Sequence, residues 1–303
     1  MTDQPRADIE RFEITVGSLT FQARRAGPPD GRPVLLLHGV PQSSACWIRQ
    51  LHALGLAGYR AVAFTQRGYS PGARIDAVEA YTMDLLADDA LGVADKLGFG
   101  RFDVVGHDAG AGVAWTLGGY HSDRVRTLTI VSVPHPAAFA DSYHASQEGG
   151  DDDQYGRSAY MRRIIERPRG ETERLFLAND KEILRTMFAD LPPESVDEYF
   201  EIVGTPEGLR GALDWYRANA LRRLGRPNGM SPDFPDITVP TLYVWSDQDP
   251  ALGATAAYAT ERYVKAPYRF VVLEGVGHWI PEIAADRFNQ ELLAHLDAHA
   301  SPA

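Results

Sequence analysis

Hydrophobic and polar positions change period in a regular way along this chain. Residues 12–24 alternate around Gly17, which predicts two antiparallel strands joined by a tight turn. The stretch 33–39, PVLLLHG, is instead a continuous apolar run, the pattern of a strand covered on both faces. Further short runs at 59–64, 102–106, 125–133, 240–245 and 268–273 predict strands, and helical spacing predicts helices over 47–56, 79–97, 109 to about 120, and 282–299. Strands and helices alternate, so the predicted class is α/β with a mostly parallel, doubly wound sheet. From Ala137 to Thr238 the alternation stops. Helical signals broken by Pro and Gly predict a helical cap over 137–238, inserted into a core made of residues 1–136 and 239–303.

The run Phe102-Asp-Val-Val-Gly106-His107-Asp108-Ala109-Gly110 joins a strand directly to a helix. Glycines two residues to either side of one reactive residue suit a strained strand-to-helix turn, where the helix backbone crosses close to the strand. Serine is the usual residue at the centre of such an elbow, and here it is Asp108. A carboxylate is already a nucleophile at neutral pH, and its attack on carbon gives an alkyl ester. Hydrolysing that ester calls for a histidine to activate water, an acid to orient the histidine and backbone N–H groups for the oxyanion. Gly110-Ala-Gly112 also begins like a dinucleotide fingerprint, but Trp115 stands where the third glycine is needed and no acidic residue ends a following strand.

The acid is sought after a later strand, and the loop 245–253 offers Asp247 and Asp249. Asp249 is favoured because it lies further into the loop, and turn capping accounts for Asp247. His278 follows the last strand on a glycine-rich loop and completes the chain order nucleophile, acid, histidine. The turn His38-Gly39-Val40-Pro41 could aim the Val40 amide into the site. His38, Pro41, His107 and Trp279 are expected around the substrate pocket, the two histidines through hydrogen bonds behind it. No histidine spacing resembles a zinc site, so no metal and no cofactor is expected.

Composition narrows the partners. The 303 residues are 44% apolar and 23% charged, as in a soluble globular protein, and the net charge of −11 argues against binding a phosphate backbone. No signal-like start and no membrane-length apolar run is found, which predicts a cytoplasmic protein. The single cysteine, Cys46, excludes an internal disulfide. The acidic run 148–153 is read as a solvated loop rather than a metal site. A small-molecule substrate is expected, without nucleic acid or membrane, and a homodimer is left open.

Across nearly its whole length the chain resembles the α/β-hydrolase superfamily, and within it the Asp-nucleophile branch of soluble epoxide hydrolases and haloalkane or haloacetate dehalogenases. The marks are the His38-Gly39-Val40-Pro41 turn, Gly106-His107-Asp108-Ala109-Gly110, the Asp249 loop and Gly277-His278-Trp279. The resemblance implies an oxyanion hole from the N–H groups of Val40 and Ala109, with Asp249 and His278 completing a triad. Leu213-Asp-Trp-Tyr216 resembles the epoxide hydrolase segment that carries one proton-donating tyrosine. For the second, this chain has Ile164 where the family often has tyrosine, and Tyr160 or Tyr155 would substitute. Ala109 stands where most relatives have a tryptophan, or an arginine in haloacetate enzymes, and Val40 where many haloalkane dehalogenases have an asparagine, so two halide-binding groups are missing. The implied function is an epoxide hydrolase that opens an oxirane to a vicinal diol through an ester on Asp108. A dehalogenase and a non-hydrolytic ligand-binding or cyclase-type homologue are the alternatives.

Overall fold

The structure, a computed structural model, describes residues 7–150, 153–221 and 233–300. Among these residues eight strands form one sheet: β1 (Ile9–Val16), β2 (Leu19–Ala26), β3 (Pro33–Leu37), β4 (Arg60–Phe64), β5 (Phe102–His107), β6 (Val125–Val131), β7 (Thr241–Ser246) and β8 (Tyr268–Leu273). Their spatial order is β1-β2-β4-β3-β5-β6-β7-β8. The β1–β2 and β2–β4 pairs are antiparallel and all other pairs are parallel. The hairpin turns at Gly17, whose φ of 59° is the conformation glycine permits.

The helices are α1 (Ile48–Leu56), α2 (Met83–Lys96), α3 (Ala109–Tyr120), α4 (Pro136–Gln147), α5 (Gln154–Arg157), α6 (Ala159–Glu166), α7 (Glu171–Met187), α8 (Pro193–Val203), α9 (Pro206–Leu221), α10 (Ala254–Ala259), α11 (Ile280–Ile283) and α12 (Ala285–Ala298). Two predicted helices are shorter than the periodicity suggested. The 79–97 segment opens as a 3₁₀ turn and becomes α-helical only at Met83, because Thr82 is extended. The 282–299 segment is split at Ala284, whose φ of −125° and ψ of 31° are not helical. α7 leaves helical geometry at Ala178–Lys181, where Asn179, Asp180 and Lys181 are left-handed.

The strand order explains the layers. β3 to β4 and β4 to β5 run in opposite directions across the sheet, so right-handed crossovers put α1 on one face and α2 with α3 on the other. α12 packs on α1 and α3 on α2. β5 is buried at every position, and β3 at every position after Pro33, which is why both read as unbroken apolar runs. Chain order reverses at β3, between β4 and β5, and such a point opens a crevice at the carboxyl ends of the strands. Helices α4 to α9 follow β6 and precede β7, and no strand occurs among their described residues. No described helix is long and apolar enough to cross a membrane.

Candidate active site

Asp108 occupies the turn between β5 and α3 with φ 51° and ψ −126°, a conformation that costs a non-glycine residue of order ~1–3 kcal/mol. The flanking glycines have a steric reason. A Cβ on Gly106 would lie 2.5 Å from the Gly110 carbonyl oxygen, one on Gly110 2.3 Å from the Leu37 carbonyl oxygen, and one on Gly39 2.4 Å from Asp108 Cβ. Only bare backbone lets β3, β5 and α3 meet closely enough to lift the carboxylate onto this crest.

The two carboxylate oxygens of Asp108 have different partners. The Val40 amide donates to Oδ1 at 2.7 Å, and the Ala109 amide also hydrogen bonds the carboxylate. His278 Nε2 lies 3.4 Å from Oδ2. On the other side of its ring, His278 Nδ1 is 2.7 Å from Asp249 Oδ2, while the Ala251 and Leu252 amides donate to Asp249 Oδ1 at 2.8 and 3.1 Å. Asp249 is thus fixed by its own loop and aims one oxygen at the imidazole. Asp247 is exposed and accepts from the Gly275 amide at 2.7 Å, a loop-capping role.

Charge follows from this geometry. Burial opposes ionisation of Asp108, but the hydrogen bond and charge of His278 outweigh it and hold the carboxyl below its usual range. Burial likewise opposes a charge on His278, yet Asp249 and Asp108 push its pKa up to about 10. Two flanking carboxylates therefore favour the protonated imidazole in the empty site.

Tyr160 of α6 and Tyr216 of α9 meet above this group. Their rings are 6.0 Å apart at 87°, and their hydroxyls hydrogen bond to each other. Tyr160 is 36% exposed and Tyr216 half-buried, but loss of water around their hydroxyls raises the pKa of both phenols, and the charge of Asp108 adds to the rise, so both keep their protons. Asp108, Tyr160 and Tyr216 line two adjoining cavities. The larger, about 330 Å³, is walled by apolar groups such as Phe176, Met187, Leu209 and Leu213. The smaller, about 60 Å³, runs over Ala109 and Gly112 to Met83. Tyr155 lines neither and packs on Tyr143 at 5.2 Å, with the Arg162 guanidinium 3.7 Å from its ring centre.

Comparison with known proteins gives this geometry its context. The sequence model described as "Alpha/beta hydrolase family" matches residues 34–291. The chain belongs to the alpha/beta hydrolase family. Epoxide hydrolase A of Mycobacterium tuberculosis is 31% identical, over 96% of this chain and 98% of that protein. Mouse epoxide hydrolase 4 is 28% identical over 93% of this chain and 78% of its own length. A solved structure reported under "Novel epoxide hydrolases belonging to the alpha/beta hydrolases superfamily in metagenomes from hot environments" superposes with a TM-score of 0.80 and 28% identity, covering 95% of this chain and 98% of that one.

In this alpha/beta hydrolase, Val40, Pro41 and Trp279 line the larger cavity. His38 and His107 do not line either cavity. Both are fully buried. His38 Nε2 accepts from the Gln66 amide at 2.9 Å and its Nδ1 faces the Gly39 carbonyl at 2.9 Å. His107 lies between Gln42 and the His278 carbonyl. Burial lowers the pKa of each to about 4, so both stay neutral. Sequence reading passed over Gln42, adjacent to Pro41, and Glu282, four residues after His278; proximity to the motifs was the only signal either gave. Cys46 is buried, and burial pushes its thiol well above the usual range. Of the acidic run, Asp151 and Asp152 lie outside the described residues, and Asp153 pairs with Arg157 at 2.7 Å. Residues 222–232 of the expected cap also lie outside them.

Proposed function

We propose that this alpha/beta hydrolase is an epoxide hydrolase for apolar epoxides, with Asp108 as nucleophile and α4 to α9 as a cap that carries the acids. The observation that carries the reading is the hydrogen-bonded pair Tyr160–Tyr216 facing Asp108 across the cavity. An oxirane oxygen leaves as an alkoxide and needs a proton, which a phenol can give; a departing halide would find an alanine methyl at 109 in its place.

Asp108 Oδ2 attacks an oxirane carbon, the C–O bond breaks, and a tyrosine hydroxyl protonates the released oxygen. Esterification removes the charge of Asp108, leaving Asp249 as the one carboxylate supporting the proton on His278. The imidazolium proton passes to the phenolate, restoring the phenol, and the neutral imidazole becomes a base. His278 then takes a proton from water, and the hydroxide adds to the ester carbonyl carbon. The Val40 and Ala109 amides hold the oxyanion on Oδ1. Collapse breaks the bond from the carbonyl carbon to the alkyl oxygen, and the new carboxyl proton passes to that oxygen. A vicinal diol leaves, with Asp108 and the imidazolium restored.

A single turnover in heavy-oxygen water with a panel of apolar epoxides tests this. The peptide carrying residue 108 is expected to gain label while the first diol does not. Diol formed without label in that peptide would remove Asp108 as nucleophile, and halide release from haloalkanes without epoxide opening would favour the dehalogenase. The same reading makes the cytoplasm a suitable place for the protein, with a small apolar epoxide as its partner.

A further inference from the structure

Behind the site lies a buried carboxylate that the mechanism above does not use. Glu282, in α11, is 5% exposed and pairs with no cation within salt-bridge distance among the described residues. It accepts hydrogen bonds from Gln42 Nε2 at 2.6 Å, from the Tyr199 hydroxyl at 3.1 Å and from Ser195. The other end of the Gln42 amide, Oε1, is 3.1 Å from His107 Nδ1, and His107 Nε2 is 3.0 Å from the main-chain oxygen of His278. A continuous buried chain therefore runs from Glu282 to the backbone of the catalytic imidazole.

We propose that Glu282 is a positioning residue: through Gln42 it sets which ring nitrogen of His107 carries the proton, and so whether His107 holds the main-chain carbonyl of His278. Proton counting along the chain gives the reason. When Glu282 is ionised, Gln42 must turn its NH₂ toward the carboxylate and its carbonyl toward His107, which then needs its proton on Nδ1. The neutral ring has one proton, so Nε2 presents a lone pair to the His278 carbonyl. When Glu282 is protonated, its O–H donates to the Gln42 carbonyl. The reversed amide donates to Nδ1, the ring proton sits on Nε2, and Nε2–H donates to the His278 carbonyl. Only this second state satisfies every link.

The two states exchange in a useful range. Burial raises the pKa of Glu282 to about 7, against the hydrogen bonds from Ser195, Tyr199 and Gln42 and the charge of Arg49. The titratable and charged groups around it are Arg49 of α1, Cys46 in the turn before α1, Tyr199 of α8 and, through Gln42, His107. Arg24 and Glu198, behind Cys46, form their own pair. Protonation of Glu282 adds the His107 hydrogen bond on the His278 carbonyl to the one that Ser132 Oγ donates at 3.3 Å, and ionisation removes it above neutrality. The role of His278 as base runs the opposite way, since the neutral imidazole is favoured as pH rises, so the two effects separate by sign.

This inference rests on the epoxide-opening reading only for its kinetic readout, and the deciding measurement needs no substrate. Nitrogen-15 NMR of histidine-labelled protein reports the tautomer of His107. Its proton is expected on Nε2 at pH 5.5 and on Nδ1 at pH 8.5, and Glu282→Gln, whose amide can donate to Gln42 at any pH, should keep it on Nε2 throughout. In single-turnover kinetics, hydrolysis of the ester in the unmodified enzyme should fall about tenfold across neutrality, the effect of one hydrogen bond lost, and by less than about twofold in Glu282→Gln. Gln42→Leu leaves the His278 carbonyl as the one partner of the His107 ring in this chain, so the proton should stay on Nε2 at every pH and the fall across neutrality should disappear. A tautomer that does not change, or one that still changes in Glu282→Gln, would overturn the proposal. If no epoxide forms an ester, the functional reading fails while the NMR result still judges this one.

Discussion

Replacing His278 with glutamine should divide the reaction in two. In the resting site the imidazolium lies 3.4 Å from Asp108 Oδ2, and at an effective dielectric constant of about 20 the gross attraction, 332/(20 × 3.4), is ~5 kcal/mol. Part of that is offset by the burial that opposes both charges. The attraction restrains the lone pair that must attack carbon, so its loss does not slow alkylation and leaves Oδ2 more basic. Ester hydrolysis, in contrast, loses its general base, a defect of about 10²–10⁴-fold. The glutamine enzyme should consume one equivalent of epoxide and stop, with the ester stable long enough to isolate. Rapid quenching followed by intact-mass measurement should show a gain of one substrate mass on nearly every molecule, located to the peptide with residue 108. A variant that neither forms the ester nor turns over would refute the division of labour, because His278 would then be needed for attack on the oxirane.

Other consequences are testable on the same protein. Tyr160→Phe and Tyr216→Phe should each slow epoxide opening by about a hundredfold, the scale of a positioned acid; the double variant should form no ester in rapid-quench experiments, and an unchanged opening rate in it would move the acid elsewhere. Asp214, on the same helix as Tyr216, is fully buried between Arg169 at 2.5 Å and Arg217 at 2.9 Å. Asp214→Ala leaves Arg217 to Glu173 and Arg169 to Asp76 alone, and the loss of these charged hydrogen bonds should cost about 1.5–3 kcal/mol in urea unfolding. His38, His107, His135 and His295 have folded-state pKa values lowered by burial to about 4 from 6.5. The unfolded chain therefore binds more protons between these limits, and each histidine contributes stability that is full above pH 6.5 and lost as pH falls toward 4. Glu282, raised from 4.5 to about 7, works in the opposite direction, with stability lost as pH rises between those values. Melting temperature followed from pH 4 to 7 in wild type and His38→Asn should show a shallower acid limb in the variant; equal slopes would mean that His38 titrates normally.

The sequence was informative where a pattern has a local cause. β3 and β5 read as unbroken apolar runs because neighbouring strands and both helical layers cover them. The crest at Asp108 was legible because Gly106 and Gly110 have no room for a Cβ. Asp249 was favoured over Asp247 in the sequence only by its place further into the loop; in the structure one bonds back to its own turn and points at His278 while the other ties down Gly275. The choice between Tyr160 and Tyr155 depended on how α6 lies against α9, which periodicity does not encode. Phe176 and Met187 flank the break in α7, and their place in the cavity wall follows from that break. Glu282 was hidden for another reason: four separate segments supply its neighbours, and no linear spacing reports such a meeting.

The amide of Val40 makes the two oxygens of Asp108 inequivalent before any substrate arrives. On the proposed route, the oxygen under that amide stays with the protein indefinitely, whereas its twin departs in each diol and is replaced from solvent. Asp108 would then act as a courier with a one-cycle delay, handing each molecule of diol the solvent atom acquired in the previous round. After many rounds in isotopic water the side chain should be heavier by a single oxygen. Two would mean that the carboxylate rotates between rounds.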